Sequence, residues 1–252
     1  YVLNLCMKLV IIIVLILFSE FIYAQEVFQG LTIFTPKTGG GPIGNGRDIT
    51  TYLINDNNNI VHTWSHERGV SSMPYLLPDS SIIYPYRVPN PTMTSGGVGG
   101  GIQHISWNGD ILWDYQVSNE DYQHHHDIQP LPNGNILIIA WERKTSEEAY
   151  EMGRDTISNP INQCWSEAIF EYDPNLDTNV WEWHLWDHLI QDVDSELQGF
   201  GNVSAHPELF DINKGNIGGS GAPEGEAHGD WMHFNAIAYN NELDQIIISS
   251  RH

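Results

Sequence analysis

The stretch "HDIQPLPNGNILIIAWE", residues 126–142, predicts two β-strands joined by a tight turn. Asn133 and Gly134 stand between two apolar runs, and this pair favours a type I′ hairpin turn, in which both central positions have positive φ. The same Asn-Gly signal recurs within "GIQHISWNGDILWDY", residues 101–115. The two stretches therefore predict antiparallel hairpins that follow one another along the chain.

Six hairpins of two alternating types are predicted in this way. The first type ends in Trp or Tyr and occupies residues 50–64, 101–115 and 168–186, and the second occupies residues 73–87, 126–142 and 233–251. Because the two types alternate, a four-stranded unit recurs about every 50 residues before insertions lengthen it. Such a unit is typical of a β-propeller blade, so the sequence predicts an all-β propeller fragment of roughly three blades. A β-sandwich is the alternative, but it does not explain the strict alternation.

Two insertions interrupt the repeat. Residues 143–167 contain "TSEEAYEMGRD", which predicts a short helix that begins at a Thr or Ser cap followed by acidic residues. Residues 187–232 form a longer insertion. Insertions between propeller strands commonly line the face that carries the central site, so we expect this segment to contribute to the wall of that site.

The composition agrees with an all-β fold and excludes some classes of function. Eleven per cent of the residues are aromatic and 23 are glycine, which favours strands and turns over helices. The formal net charge of −22 repels nucleic acid and anionic membrane surfaces. We therefore expect neither a nucleic-acid partner nor a membrane-bound state.

The beginning of the sequence predicts a secretory signal peptide. One lysine precedes a short apolar run in "KLVIIIVLILFSEFIYAQ", residues 8–25, and Ala24 provides a small residue before the expected cleavage site. A membrane anchor is the alternative, but the run is short for crossing a bilayer. The protein is therefore expected to be exported, either to the periplasm or outside the cell.

These observations divide the chain into three parts. Residues 1–24 are upstream residues and signal peptide, residues 25–49 are a lead-in segment, and residues 50–252 are a propeller fragment that we expect to be truncated at its C-terminus. Cys164 lies in the third part, without a second cysteine there to pair with, and we interpret it as a buried small hydrophobic residue.

Histidines introduce two of the predicted inner strands. His126 begins a hairpin in the second unit, His233 begins one in the third, and Arg251 ends the strand that returns from His233. If the first strand of each unit is innermost, the two imidazoles converge near the propeller axis and Arg251 approaches them. Strand alternation further predicts that His124 and His126 face one side and His125 the other. A solvated histidine cluster without a role is the alternative.

No other motif competes with this histidine site. His184 and His188 in "HLWDH" lack the glutamate of an HExxH zinc motif, and we interpret them as structural. The glycine-rich "SGGVGGG", residues 95–101, precedes a strand rather than the helix that a phosphate loop needs. No GxSxG nucleophile motif occurs. We therefore expect no metal and no other cofactor.

Several long stretches resemble the bacterial aryl-sulfate sulfotransferases, PAPS-independent arylsulfotransferases built on a six-bladed β-propeller. The resemblance extends over nearly all of residues 30–252 and is carried by "TTYLINDNNNIVHTW", "HHDIQPLPNGNILIIAWERKT", "VWEWHLWDHLIQDVD", "HPEL" and "DWMHFNAIAYNNELDQIIISSRH". It implies transfer of a sulfuryl group from a phenolic sulfate ester to an acceptor phenol through a sulfohistidine intermediate. Such nucleophilic catalysis by an imidazole needs neither a metal nor a nucleotide.

The resemblance also assigns site residues. His233 in "DWMHFN" and Arg251 in "SSRH" match active-site residues of the family, and the histidine of "HHD" that matches another is His126, with its neighbours as alternatives. These three are the expected catalytic residues. The expected substrate-binding residues are His124, His125, Asp127 and Asn235.

The resemblance places the nucleophilic histidine of the family beyond residue 252. The chain is therefore expected to be an N-terminal fragment that is inactive by itself. Two other functions stay open. A non-catalytic secreted propeller could bind sulfated or aromatic ligands, and a quinoprotein-like oxidoreductase would share the propeller but has no supporting cofactor motif here.

Overall fold

A computed structural model describes residues 29–36, 49–218 and 227–251. Within these ranges the regular structure is almost entirely antiparallel β-sheet, with one short α-helix and two 3₁₀ turns. No helix in the described ranges is long and apolar enough to cross a membrane. The predicted signal peptide, residues 1–24, lies outside the described residues.

The first sheet has three antiparallel strands in the order β1-β2-β3. Its strands are β1 Leu31–Phe34, β2 Ile49–Asn55 and β3 Ile60–His66. The hairpin predicted over residues 50–64 is confirmed as β2–β3. The predicted lead-in segment, residues 25–49, contributes β1, which pairs with β2 along its whole length. The first sheet therefore begins earlier in the chain than the repeat pattern predicts.

Two four-stranded antiparallel sheets follow, each with its strands in chain order. The first contains β4 Tyr75–Leu76, β5 Ile82–Arg87, β6 Gly100–Ile105 and β7 Ile111–Gln116. The second contains β8 Tyr122–Pro130, β9 Ile136–Thr145, β10 Gln163–Asp173 and β11 Thr178–His184. In both sheets a predicted hairpin of the second type supplies the first two strands and one of the first type supplies the last two. The alternation in the sequence thus corresponds to four-stranded units.

The last described strands form a further antiparallel pair, β14 Phe234–Asn240 and β15 Gln245–Ser250. All six predicted hairpins are therefore confirmed as antiparallel strand pairs. The described residues form an almost all-β fold of several antiparallel sheets, but no closed propeller ring is detected among them, so the blade number stays a prediction.

The predicted type I′ turns are wrong in detail. In both Asn-Gly loops only the glycine has positive φ, +92° at Gly109 and +93° at Gly134. The Gly134 N–H donates to Leu131 O over 3.0 Å, and the Leu131 N–H donates to Asn135 O over 2.8 Å. This pattern is a type I turn followed by a glycine bulge, which is also compatible with the twist of a hairpin.

The first insertion contains the predicted helix, α1 Ser146–Glu151, which begins with a capping box between Thr145 and Glu148. The interruption is shorter than predicted, because β9 continues to Thr145 and β10 already begins at Gln163. Cys164 in β10 is buried, and burial raises the pKa of its thiol to about 12, which agrees with a structural role. The second insertion contains a parallel pair, β12 Leu189–Ile190 with β13 Phe210–Asp211.

Asp127 joins three of the sheets. Its Oδ1 accepts a hydrogen bond of 3.1 Å from the Tyr75 hydroxyl in β4, and its Oδ2 accepts one of 3.2 Å from the Ile237 N–H in β14. Asp127 itself lies in β8. Burial raises the pKa of this carboxyl, and the hydrogen bonds that it accepts act against that shift. The side chain that was predicted to bind substrate therefore makes its contacts with neighbouring strands.

Replacing Asp127 by Ala should lower the free energy of unfolding by about 2 kcal/mol. The change removes the acceptor of a buried backbone N–H, and such an unpaired donor costs about 1–3 kcal/mol. Urea unfolding of the full-length protein measures the effect. Asp127→Asn is the matched control, because its amide oxygen can still accept from Ile237, and it should lose less than half as much. Equal stability of the Ala variant and the wild type would contradict this role.

Candidate active site

Two histidines with left-handed backbone conformation meet between neighbouring strands, His126 within β8 and His233 immediately before β14. The prediction that His126 begins its strand is wrong, because the pairing of β8 with β9 already starts at Tyr122. His126 has φ +52° and His233 has φ +53°, and their rings lie edge to face with centroids 4.6 Å apart. The convergence expected from the repeat positions is thus present. Arg251 is adjacent in the backbone, since its N–H donates to His233 O over 3.2 Å, and its side chain is exposed. Burial is the largest cause that lowers the pKa of His126, and the charge of Arg251 acts in the same direction; at His233 the hydrogen bond to Asp230 outweighs Arg251 and raises the pKa.

The predicted alternation of the three histidines is wrong. The pairing register of β8 shifts between His124 and Ile128, and His126 has a left-handed conformation within the shifted segment. A bulge of this kind interrupts the two-residue period of a strand. As a result His125 and His126 turn toward each other, with their Nδ1 atoms 3.0 Å apart.

His124 and His125 are fully buried. The Gly100 N–H donates to His124 Nδ1 over 2.9 Å, while the His125 ring stacks on Trp141 with a centroid separation of 4.2 Å. Burial is the largest cause that lowers the pKa of each imidazole to about 3. Both rings are therefore neutral structural or positioning groups, and His126 is the member of the run that is only partly buried.

Asp230 binds and orients His233. Its Oδ2 accepts hydrogen bonds from His233 Nδ1 and, over 3.1 Å, from the Ser95 hydroxyl. Its Oδ1 accepts from the Trp141 indole N–H over 3.1 Å. Because Nδ1 faces Asp230, this carboxylate fixes the orientation of the His233 ring.

The surroundings shift the pKa values of the two converging imidazoles in opposite directions. The hydrogen bond to Asp230 is the largest cause that raises the pKa of His233. Burial raises the pKa of Asp230, but its hydrogen bond and charge interaction with His233 outweigh this effect and hold that pKa below its usual value. In contrast, burial is the largest cause that lowers the pKa of His126 to about 4. The site therefore combines an imidazole that favours a positive charge with one that stays neutral.

The arylsulfotransferase (ASST) family model matches residues 86–252. The chain belongs to the arylsulfotransferase family. The match includes the whole of the second four-stranded sheet and all seven predicted site residues. No curated protein matches the sequence. The described residues contain no group of three or more His, Cys, Asp or Glu side chains that could hold a metal ion.

The sequence patterns did not identify two residues of the site, Asp230 and Glu167. Asp230 stands three positions before His233 inside "DWMHFN", a stretch already conspicuous for its histidine. Glu167 is a fully buried carboxyl group in the apolar strand β10. A charged residue in an otherwise apolar strand is a signal that could have identified it, because burial of an unpaired carboxylate is costly.

The remaining predicted residue, Asn235, lies apart from the imidazole pair. Its side chain is exposed, at the irregularity of β14 between Phe234 and Ala236. The prediction that Asn235 binds substrate therefore depends on an approach from the solvent side.

A cleft of about 570 Å³ borders the site on the side of the loop between β5 and β6. Ser95, which donates to Asp230, is one of its lining residues. Arg143, Trp165 and His228 present a guanidinium, an indole and an imidazole to the same cleft. These groups are suited to an anionic aromatic molecule, because an indole can stack on an aryl ring and a guanidinium can bind an anion.

Replacing His124 by Asn should make the stability of the fold less sensitive to acid. The folded-state pKa of His124, about 3, lies below the ordinary value of 6.5. The unfolded chain therefore binds more protons between these values, so the free energy of unfolding falls as the pH falls through this window. In the variant this dependence should weaken by about 1.4 kcal/mol per pH unit between pH 6 and pH 4. Urea unfolding at several pH values provides the measurement.

Asn is the appropriate replacement because its side-chain oxygen can still accept from the Gly100 N–H. Its stability at pH 8 should consequently remain close to that of the wild type. An unchanged pH dependence in the variant would show that His124 does not remain neutral in the fold.

Proposed function

We propose that the full-length protein is an exported aryl-sulfate sulfotransferase that transfers a sulfuryl group from a phenolic sulfate ester to an acceptor phenol through a sulfohistidine. The family match supports the class of reaction, and the resemblance places the nucleophilic histidine after residue 252. The single observation that supports the site in this chain is the contact between His126 and the His233–Asp230 pair. In this contact the His233 imidazole favours its positively charged form, whereas the His126 imidazole favours its neutral form.

This arrangement suits both chemical demands of sulfuryl transfer. Negative charge on the sulfuryl oxygens and the leaving phenolate requires fixed donors or cations, and the positive charges of the His233 imidazolium and the Arg251 guanidinium can provide them. The phenolic proton requires a neutral imidazole that can release and accept it, which is the role we assign to His126. As the nucleophile attacks sulfur, the S–O bond to the aryl group breaks. The acceptor oxygen later attacks sulfur, and the S–N bond breaks.

A six-bladed propeller is part of this proposal. The structure has two consecutive four-stranded antiparallel sheets, followed by the antiparallel pair β14–β15. A propeller repeats four-stranded units of this kind. His126 and His233 share a left-handed backbone conformation, His126 at the register shift within β8 and His233 directly before β14, the first strands of successive units. Asp127 supports the same arrangement, because its hydrogen bonds connect the first strands of three units.

The acidic chain can still bind an anionic substrate. Screening restricts repulsion between exposed charges to roughly 8 Å at physiological ionic strength. Inside the site the nearby charges are those of Arg251 and the His233–Asp230 pair, and Arg143 lines the adjoining cleft. Local cations therefore determine the potential that a sulfate group meets, rather than the net charge of the chain.

The proposal is tested by transfer from 4-nitrophenyl sulfate to phenol, followed as release of nitrophenol by the full-length protein without any nucleotide. We expect turnover, and a decrease of about 10²-fold in the Arg251→Ala variant, the usual scale for loss of a group that stabilises charge. Lys214→Ala is the control, because it removes an exposed cation that does not affect the pKa of His126 or His233. Binding of the donor without transfer would instead support the non-catalytic alternative. Full activity of Arg251→Ala would exclude Arg251 from the site.

A further inference from the structure

A buried chain of hydrogen bonds connects Glu167 to His126 through His125. Glu167 Oε2 lies 2.9 Å from His125 Nε2, and His125 Nδ1 lies 3.0 Å from His126 Nδ1. Glu167 and His125 are both fully buried, so neither can exchange a proton directly with solvent. The partly exposed end of this relay is His126, which is also the end that contacts His233.

The direction of the two hydrogen bonds is linked, because a neutral imidazole carries one N–H and one lone pair. With Glu167 ionised, His125 Nε2–H donates to the carboxylate and His126 Nδ1–H donates to His125, which leaves a lone pair on His126 Nε2. With Glu167 protonated, both bonds reverse and His126 Nε2 carries a hydrogen. The protonation state of Glu167 thus determines whether His126 is a proton acceptor or a proton donor at Nε2.

We propose that Glu167 is a positioning residue that holds, through His125, the proton that His126 exchanges with the phenolic oxygens. This inference rests on the proposed function and adds to it a buried residue that never touches the substrate. It explains how one neutral imidazole can act as an acid in one half-reaction and as a base in the other.

Every proton released in the first half-reaction is recovered in the second. In the first, the S–O bond of the donor breaks and His126 Nε2–H protonates the departing phenolate. A proton then moves from His125 to His126 and another from Glu167 to His125, so Glu167 becomes ionised. In the second, the acceptor phenol loses its proton to His126 Nε2 as its oxygen attacks sulfur. The two internal transfers reverse, and Glu167 is protonated again.

The electrostatic surroundings favour Glu167 as the site of the additional proton. Burial, followed by the negative charge of Asp230, raises the pKa of the Glu167 carboxyl well above its usual value. Burial lowers the pKa of both His125 and His126. The charged groups that act on the relay from other elements are Asp230, His233 and Arg251. The additional proton therefore lies on the carboxyl group rather than on an imidazole.

The backbone fixes the orientation of the Glu167 side chain. Its second oxygen, Oε1, accepts the Phe234 N–H over 2.8 Å. In the variant Glu167→Gln the amide oxygen must replace Oε1 as this acceptor, so the amide NH₂ faces His125 Nε2. Because an amide NH₂ can only donate, His125 must then donate from Nδ1 to His126 Nδ1. The variant therefore holds His126 with its hydrogen on Nε2.

Glu167→Gln in the full-length protein tests the relay by kinetics. The first half-reaction should persist as a burst of nitrophenolate close to one equivalent, because the nitro group stabilises this leaving anion and it can depart without a proton from His126. Steady-state transfer to phenol should fall about 10²-fold, the scale of losing general base catalysis. Glu142→Gln is the matched control, because it replaces a buried carboxylate of β9 that pairs with Lys144 outside the relay. It should change neither the burst nor the turnover.

Nitrogen-15 spectra of the histidine side chains provide a readout that does not depend on activity. Glu167→Gln should show His126 only as the Nε2–H tautomer, whereas the wild type should change its protonated nitrogen as Glu167 titrates. The His126→Gln variant lacks the His126 ring signals, so comparison with its spectrum assigns those signals in the wild type. An unchanged tautomer in Glu167→Gln, or equal losses of burst and turnover, would overturn the relay. If the tautomer changes as expected while the wild type transfers no sulfuryl group, the proposed function fails and the relay remains.

Discussion

Replacing Asp230 by Asn is expected to lower the rate of sulfuryl transfer by the full-length protein by about 10²- to 10⁴-fold, the scale seen when an aspartate that orients a reacting imidazole becomes an amide. Trp141 can only donate to position 230, so the amide oxygen must face the indole and the NH₂ must face His233 Nδ1. The variant thus removes both the acceptor and the negative charge that hold His233 in its charged form.

The pKa of His233 can be followed in the same variant by recording nitrogen-15 spectra of the histidine side chains at several pH values. The pKa of His233 should fall in Asp230→Asn, because the largest cause that raises this pKa is lost. Ser95→Ala is the control, since it removes a different hydrogen bond to the same carboxylate, and it should reduce the rate by less than about tenfold. If Asp230→Asn transferred sulfuryl groups within fivefold of the wild type, the His233–Asp230 pair would have no part in the reaction.

Replacing Gly97 by Ala is expected to lower the transfer rate by about 10²-fold or more, comparable to removal of the His126 imidazole. A Cβ atom at Gly97 would lie 2.1 Å from His126 Cε1, too close for both to remain in place. The His126 N–H also donates to Gly97 O over 2.8 Å, so the two residues are fixed against each other. Displacement of a reacting group by about 1 Å can cost about 10² in rate.

Gly109→Ala is the matched control for backbone strain. Gly97 has φ +79° and Gly109 has φ +92°, so alanine is strained at both positions, but no atom lies within 4 Å of a Cβ at Gly109. Both variants should lose about 1–2 kcal/mol of unfolding free energy from strain. Gly109→Ala should retain the wild-type transfer rate. A Gly97→Ala variant with normal transfer would show that the position of the His126 ring is not critical.

The strand order of the fold follows largely from local features of the sequence. The Asn133-Gly134 loop, the apolar runs beside it and the Thr145 cap predict a hairpin and a helix start that are present. These features act between residues close together in the chain, through turn geometry, the two-residue strand period and capping hydrogen bonds. The turn type was nevertheless wrong, because Asn-Gly is compatible with more than one hairpin geometry.

The candidate site was predictable in part. His126 and His233 were identified because the repeat pattern placed both at the start of a predicted first strand, and a fixed position in a repeat implies a fixed position in space. His126 instead lies within β8, which begins at Tyr122. Asp127 was expected to bind substrate, but its carboxylate contacts Tyr75 and Ile237. The partners of a carboxylate depend on segments far away in the chain, which local patterns do not contain.

The sequence by itself determined an all-β chain of alternating hairpins, two histidines at corresponding positions, and membership of the arylsulfotransferase family. Only the tertiary structure decided which imidazole is charged, which is neutral and what controls each of them. The bulge in β8 turns His125 toward His126, and packing brings Glu167 to His125 across 42 positions of sequence. Protonation depends on burial and on charges a few ångströms away, and both are set by the packing of strands that are distant in the chain.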